Sequence, residues 1–210
     1  MNLSFPFLKT ARGKQITFAL ILVFIGSLAI DQVSKRHAHG TLMKWEHPTD
    51  LVSFGSYHYE VGSVGRAVPE EGEVPFFIKL EFEYQRNRGA AFSMLDSLDD
   101  SIRVPFFYIV TILSVIFIGS YLRTLPLNFH LTRFGLVMIM SGAIGNFIDR
   151  LIQGYVIDFV SASWNLFGWK HNFAVFNVAD IAINIGLIAF VLEMLLRRKI
   201  DLPDAYLETI

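Results

Sequence analysis

"NVADIAINIGLIAFVLEMLL", Asn177 to Leu196, is twenty residues with two ionisable groups, Asp180 near its start and Glu193 near its end. A bilayer core asks for about 20 mostly apolar residues in helical form, and this stretch meets that length. Helix is the form hydrocarbon allows, because lipid gives unpaired backbone groups no partner. Three further stretches satisfy the same rule: Ile16 to Ile30, ending at Asp31; Val104 to Leu122; and Leu131 to Ile148, with one early Arg133. The chain is therefore expected to be a membrane α-helical protein with four transmembrane helices.

Composition agrees. Of 210 residues, 53% are hydrophobic and only 18% charged, where a soluble domain carries roughly 25% charge. The net charge of −1 offers no electrostatic footprint for nucleic acid. The chain has no cysteine, which excludes disulfides, thiolate metal sites and a cysteine nucleophile. Its six histidines show no metal-ligand spacing, and no GxSxG elbow or phosphate-cradling loop is present. No metal and no cofactor are expected.

Lys9, Arg12 and Lys14 ahead of the first apolar run also suit a secretory signal peptide. No small-x-small cleavage site follows cleanly, and the run leads straight into "DQVSKR", so a retained helix is expected. The positive-inside rule sets the orientation. Lys9, Arg12 and Lys14, then Arg123 and Arg133, then Arg197, Arg198 and Lys199 belong on one side, which puts both termini in the cytoplasm. The segments from about Gln32 to Arg103 and from about Asp149 to Phe176 then lie outside. "FFIKLEFEYQ", Phe76 to Gln85, alternates as a half-buried strand does, and "LVSFGSYHYEVG", Leu51 to Gly62, is rich in strand formers. A small periplasmic β-sheet between helices 1 and 2 is expected, within a single domain spanning residues 1–210.

This topology brings Asp31, Asp149, Asp158 and Asp180 to one membrane surface. Asn177, Asp180 and Asn184 share a helical face, as do Gly142, Gly145, Asn146 and Asp149. Small residues such as Gly142, Ala143 and Gly145 let helices approach closely. Any one aspartate at a helix end can simply sit among head groups or favour the helix dipole. Four carboxylates at one level point instead to a polar cleft, and intramembrane ionisable groups are functional candidates by default. Two close carboxylates cannot both ionise easily, so one keeps a proton. The pair then supplies both a base and an acid for water attack on a carbonyl, as in aspartic proteases. Spacing leaves Asp31, Asp149 and Asp158 all open as partners of Asp180. A proton- or ion-coupled transporter also buries carboxylates, though nearer the midplane, and a non-catalytic assembly factor would use them for helix pairing.

At these residues the sequence resembles the prolipoprotein signal peptidase (signal peptidase II) family. Four separated blocks carry the resemblance in order: "DQVSK" from Asp31, "NRGAAFSML" from Asn87, "GAIGNFIDRLIQGYVIDF" from Gly142 and "FNVADIAINIG" from Phe176. The resemblance implies an aspartic endopeptidase of the bacterial inner membrane, with its active site facing the periplasm. Its partners would be the bilayer and a diacylglyceryl-modified prolipoprotein, cut just before the lipidated cysteine, and a globomycin-type inhibitor should bind. It also selects Asp158 and Asp180 as the catalytic pair. Asn87, Gly89, Asn146, Arg150 and Asn177 would bind or orient substrate, with Arg150 donating to a substrate carbonyl. Asp31, Lys35 and Asp149 would be structural support, Asp31 and Lys35 at a helix end. Asn184, one turn below Asp180, reads as a helix-packing contact. Two features depart from the family pattern: Ser141 stands where glycine is common, and the outer segment 36–86 is long. That segment is expected to enlarge the sheet and is a candidate lid.

Overall fold

The computed structural model describes residues 10–44, 55–56, 59–66, 76–89 and 99–200. Its helices are α1 (Ala11–Leu42), α2 (Asp100–Thr124), α3 (His130–Gln153) and α4 (Val178–Ile200). Each contains a window long and apolar enough to cross a membrane. Its strands are β1 (Met43–Lys44), β2 (Gly55–Ser56), β3 (Tyr59–Arg66), β4 (Phe76–Asn87), β5 (Val156–Leu166) and β6 (Trp169–Asn172). Two compact units are distinguished: Met1–Ala29, Tyr108–Gly145 and Ala179–Ile210 form one, and Ile30–Phe107 and Asn146–Val178 the other.

The first unit is helical. Its outer residues, such as Phe18, Leu22, Leu113 and Phe117, expose large apolar side chains, a pattern that only hydrocarbon solvent makes inexpensive. Inward faces are built from small residues. On α4, Ala179, Ala182, Gly186, Ala189 and Glu193 form a buried stripe at helical spacing. Two glycines of α3 lie against it. A Cβ on Gly135 would overlap the Gly186 carbonyl oxygen, and one on Gly142 would overlap the Ala179 carbonyl oxygen. Backbones that close gain dispersion contacts, which replace the hydrophobic drive that lipid removes. Leu125 and Leu136 pack with Phe129 and Phe190. Ser141 Oγ donates to Ser27 Oγ at 2.9 Å, so the serine that departs from the family pattern ties α3 to α1.

A polar clamp closes one end of α3. The Glu193 carboxylate accepts the Thr132 backbone N–H at 2.6 Å, an orphan donor in the first turn of α3. Arg197 holds that carboxylate from Nε at 3.2 Å and from its NH2 group at 3.0 Å. The same guanidinium donates to the Asn128 carbonyl and lies 3.7 Å from the centre of the Phe129 ring.

The second unit is a four-stranded antiparallel sheet in the order β3-β4-β5-β6, together with the end of α1 and the start of α2. The sheet expected between helices 1 and 2 thus extends to two strands from the α3–α4 connection. β5 turns into β6 over Phe167 and Gly168, whose φ values are 54° and 94°. Positive φ at both positions suits a two-residue hairpin, whose twist matches the strands. Asp99 caps the start of α2: its carboxylate accepts the Ser101 N–H at 2.8 Å, and hydrogen bonds from the Ser101 side chain first and then its backbone hold its carboxyl below the usual range.

The first helix departs from expectation. It does not end at Asp31 but continues to Leu42. Asp31, Lys35, Ala38 and Leu42 are all buried and, at steps of four, three and four, form one stripe. The lower half of the stripe is ionic. The upper half is apolar and packs with Tyr84, Ile157 and Phe159 of the sheet. Asp31 and Lys35 are therefore mid-helix groups, not helix-end groups. Asn184 also departs: it is exposed, and its amide donates to the Asp180 carbonyl at 2.8 Å. The packing face belongs to the alanine–glycine stripe beside it. Of the long segment 36–86, residues 36–42 extend α1 and residues 43–44, 55–56, 59–66 and 76–86 form strands. The rest of the candidate lid lies outside the described residues.

Replacing Gly135 or Gly186 by leucine forces α3 and α4 apart. The expected cost is about 1–3 kcal/mol or more, read as a lowered unfolding midpoint of the purified protein in detergent.

Candidate active site

A buried cation organises the second unit. Lys35 Nζ lies 3.0 Å from Asp31 Oδ2 and 3.0 Å from Asp149 Oδ2 and donates to Asn146 Oδ1 at 2.8 Å. One ammonium thus joins α1 to the last turns of α3. Gln32 Nε2 donates to Asp31 and to Asp149, each at 3.1 Å, and the Ile157 backbone N–H donates to Asp149 Oδ2 at 3.2 Å. Asp149 therefore ties α3 to both α1 and β5. Buried charges are tolerated when paired and hydrogen-bonded, and this cluster is both.

The order continues outward through amides. With its oxygen on Lys35, Asn146 also accepts from Asn177 Nδ2 at 3.3 Å. Asn177 precedes α4 and is fully buried. Its amide donates to Asp158 Oδ1 at 2.6 Å. From the other side, Asn87 Nδ2 donates to Asp158 Oδ2 at 2.8 Å. Each oxygen of the buried Asp158 carboxylate is thus held by a different strand or helix end. This chain of contacts reaches from Lys35 to Asp158 through two asparagines, and its polarity is dictated by the cation at its root.

A strand irregularity puts Asn87 there. The β4–β5 register shifts between Phe82↔Val160 and Gln85↔Asp158, so Glu83 and Tyr84 together face the single residue Phe159. Such bulges re-aim side chains. In an unbulged ladder Tyr84 would stand opposite Asp158, and Arg86 would take the diagonal position that Asn87 holds. The extra residue thus exchanges a cation for an amide beside the carboxylate. Tyr84 turns into the apolar cluster, where its hydroxyl lies 2.8 Å from His39 Nδ1. Burial there pushes its hydroxyl well above the usual tyrosine range, and a hydrogen bond with Tyr155 adds to the rise, so it stays neutral.

Arg150, on the last turn of α3, donates to the Gly89 carbonyl at 2.9 Å. Its guanidinium stacks 4.2 Å from the centre of the Phe107 ring. It therefore ties down the chain just after β4. Residues 90–95, the remainder of the "NRGAAFSML" block, lie outside the described residues. Asp180 sits half-buried in the first turn of α4, three residues beyond Asn177. Among the described residues no cluster of three or more His, Cys, Asp or Glu has a metal-binding arrangement.

Four contributors escaped the sequence reading. Gln32 stands next to Asp31 and carries no periodic signal. The helical repeat Asp31–Lys35–Ala38–Leu42 marks the extension of α1 and is legible in retrospect. "VIDFVSASWNL", Val156 to Leu166, alternates too weakly to announce a strand, and the bulge at Glu83–Tyr84 has no sequence mark at all.

Four helices long and apolar enough to cross a membrane, in a chain that also builds a hydrogen-bonded carboxylate site, define a class, that of multi-pass membrane enzymes. A solved structure described as a bacterial membrane enzyme, determined by the in meso method at 2.3 Å, matches with a TM-score of 0.57 at 25% identity, over 88% of this chain and 92% of that one. A second of the same description, at 1.9 Å, matches with a TM-score of 0.53 at 24% identity, over 85% and 93%. The family is specific: the chain belongs to signal peptidase (SPase) II, whose family model matches residues 21–196. A relative named lipoprotein signal peptidase, from Geobacter sulfurreducens, is 41% identical over 57% of this chain and 71% of its own length. Another of that name, from Geobacter metallireducens, is 42% identical over 53% and 65%. Proteases of this family remove signal peptides from prolipoproteins.

Lys35→Met leaves two carboxylates buried without their cation. The expected loss is about 3–5 kcal/mol, measured by denaturant unfolding in detergent. Lys35→Met combined with Asp149→Asn should recover part of it.

Proposed function

We propose that this chain is an aspartic endopeptidase that cuts diacylglyceryl-modified bacterial prolipoproteins just before the lipidated cysteine, with Asp158 and Asp180 as its acid–base pair. The observation that carries this reading is the Asp158 carboxylate, held on one oxygen by Asn87 and on the other by Asn177. A carboxylate oriented by amide donors needs no reorganisation as proton transfer begins. Membership of a family of signal peptidases supplies the substrate class.

In the proposed reaction one carboxylate takes a proton from water, and the oxygen adds to the scissile carbonyl carbon. The other, protonated, gives its proton to the carbonyl oxygen. The tetrahedral carbon then collapses, the C–N bond breaks, and the cysteine nitrogen leaves as an amine carrying a proton from the pair. Asn87, Gly89, Asn146, Arg150 and Asn177 bind or orient the peptide and the pair. Asp31, Lys35 and Asp149 give structural support through Asn146 and Asn177.

Lysine and arginine placement supports cytoplasmic termini and a site at the periplasmic face of the inner membrane. There a lipid-anchored cysteine presents its bond without leaving the bilayer. Neither cofactor nor nucleic acid enters the scheme, and a globomycin-type cyclic peptide should compete with substrate. The transporter reading is weaker, since transporters use discontinuous helices around midplane sites and the helices here each run through unbroken.

Purified protein with a diacylglyceryl-modified prolipoprotein tests the proposal. Cleavage by the parent should fall about 10²–10⁴-fold in Asp158→Asn and in Asp180→Asn, with folding unchanged. Survival of activity in either variant would remove the pair assignment, and an inactive parent would favour the transporter or assembly readings. Asn87→Ala should lose about 10- to 100-fold, the worth of one hydrogen bond to a charged group. The pH–rate profile of the parent should be bell-shaped, because the pair works only when it shares a single proton.

A further inference from the structure

The helical unit contains a slot of about 250 Å³ that the candidate active site does not use. Leu20 and Phe24 of α1, Gly119 and Leu122 of α2, and Met140 of α3 form its apolar walls. Arg123 and Arg133 also border it. Gly119 lines the slot, and a Cβ built there meets no atom within 4 Å, so no close contact demands glycine at that position. The slot is too small for a drug-sized ligand; its lining on α1 runs from Thr17 to Phe24, about two helical turns, a length that suits part of a hydrocarbon chain.

Among the described residues, the charged side chains that line the slot are both arginines. Residues 1–30 and 101–148, which supply every lining group, contain no aspartate or glutamate. The Arg133 guanidinium is buried and set in place by the α2–α3 turn, donating from Nε to the Pro126 carbonyl at 3.2 Å and from its NH2 group to the Leu125 carbonyl. Arg123 is exposed on the last turn of α2.

We infer that this slot binds an anionic phospholipid, one acyl chain lying against Gly119 and the phosphate held by Arg123 and Arg133. Basic pockets between transmembrane helices recognise anionic head groups in this way. A signal peptide fits the site poorly, because its own amino-terminal region is positively charged and the two arginines would repel it. The inference stands apart from the proposed peptidase chemistry.

Native mass spectrometry of the full chain, exchanged with vesicles of phosphatidylglycerol and phosphatidylcholine in equal amounts, tests it. The parent should retain phosphatidylglycerol over phosphatidylcholine by about fivefold or more, the worth of one basic residue near a head group. Arg123→Gln should lose most of that preference, and Gly119→Leu should lose retention of both lipids with an unchanged melting temperature. If Gly119→Leu does not fold, Leu20→Trp closes the slot from α1. Equal retention of the two lipids by the parent would overturn the inference, as would full phosphatidylglycerol retention by a folded slot-filling variant. Mole-for-mole displacement of the lipid by a synthetic signal peptide would assign the slot to substrate and overturn it as well.

Discussion

A buried ammonium cannot go uncompensated, and the order in the second unit follows from that constraint at Lys35. Removing such a charge from water costs several kcal/mol unless anions and acceptors surround it. Asp31 and Asp149 supply the anions and Asn146 the neutral acceptor. Because Asn146 must turn its oxygen to Lys35, it can receive only a donor from Asn177, whose own donor then serves Asp158. Orientation is passed from a charge to an amide, and from that amide to a carboxylate that accepts from Asn177 and Asn87.

Two solvents shape the two units differently. The helical unit meets hydrocarbon, so its inward faces are glycine and alanine and its outward faces apolar. Water-driven burial is absent there, and close backbone approach replaces it. The sheet unit has a polar interior on one side of β5 and an apolar cluster of Ala38, Leu42, Tyr84, Ile157 and Phe159 on the other. β5 can serve both because successive residues point to opposite faces: Ile157 and Phe159 go to the core and Asp158 between them to the site. The bulge in β4 brings Asn87 to the same carboxylate.

Hydropathy alone revealed the four spans, because twenty apolar residues have few other fates. The ends of those spans were less legible. α1 outruns its apolar window by eleven residues after Asp31, since the later turns are held by an ionic and apolar stripe instead of by lipid. Asn184 shares a helical repeat with Asp180, yet the repeat did not reveal which face is buried. Neighbouring alanines and glycines took the packing role because only they allow backbones to touch. β5 hid because it is buried on both faces at its start, where Val156, Ile157, Asp158 and Phe159 show no alternation.

By itself, the sequence determined that this chain crosses a membrane, that it carries carboxylates beside its spans, and, through its ordered blocks, to which family it belongs. These are properties of composition and order, which need no partner residue. The tertiary structure decided which groups meet. Lys35 and Asp149 stand 114 positions apart, and Asn87 and Asp158 stand 71 apart. Pairings across such separations depend on strand register and helix rotation, where one bulged residue replaces an arginine by an asparagine. No local pattern in the chain encodes that choice, because it arises only when β4 and β5 align.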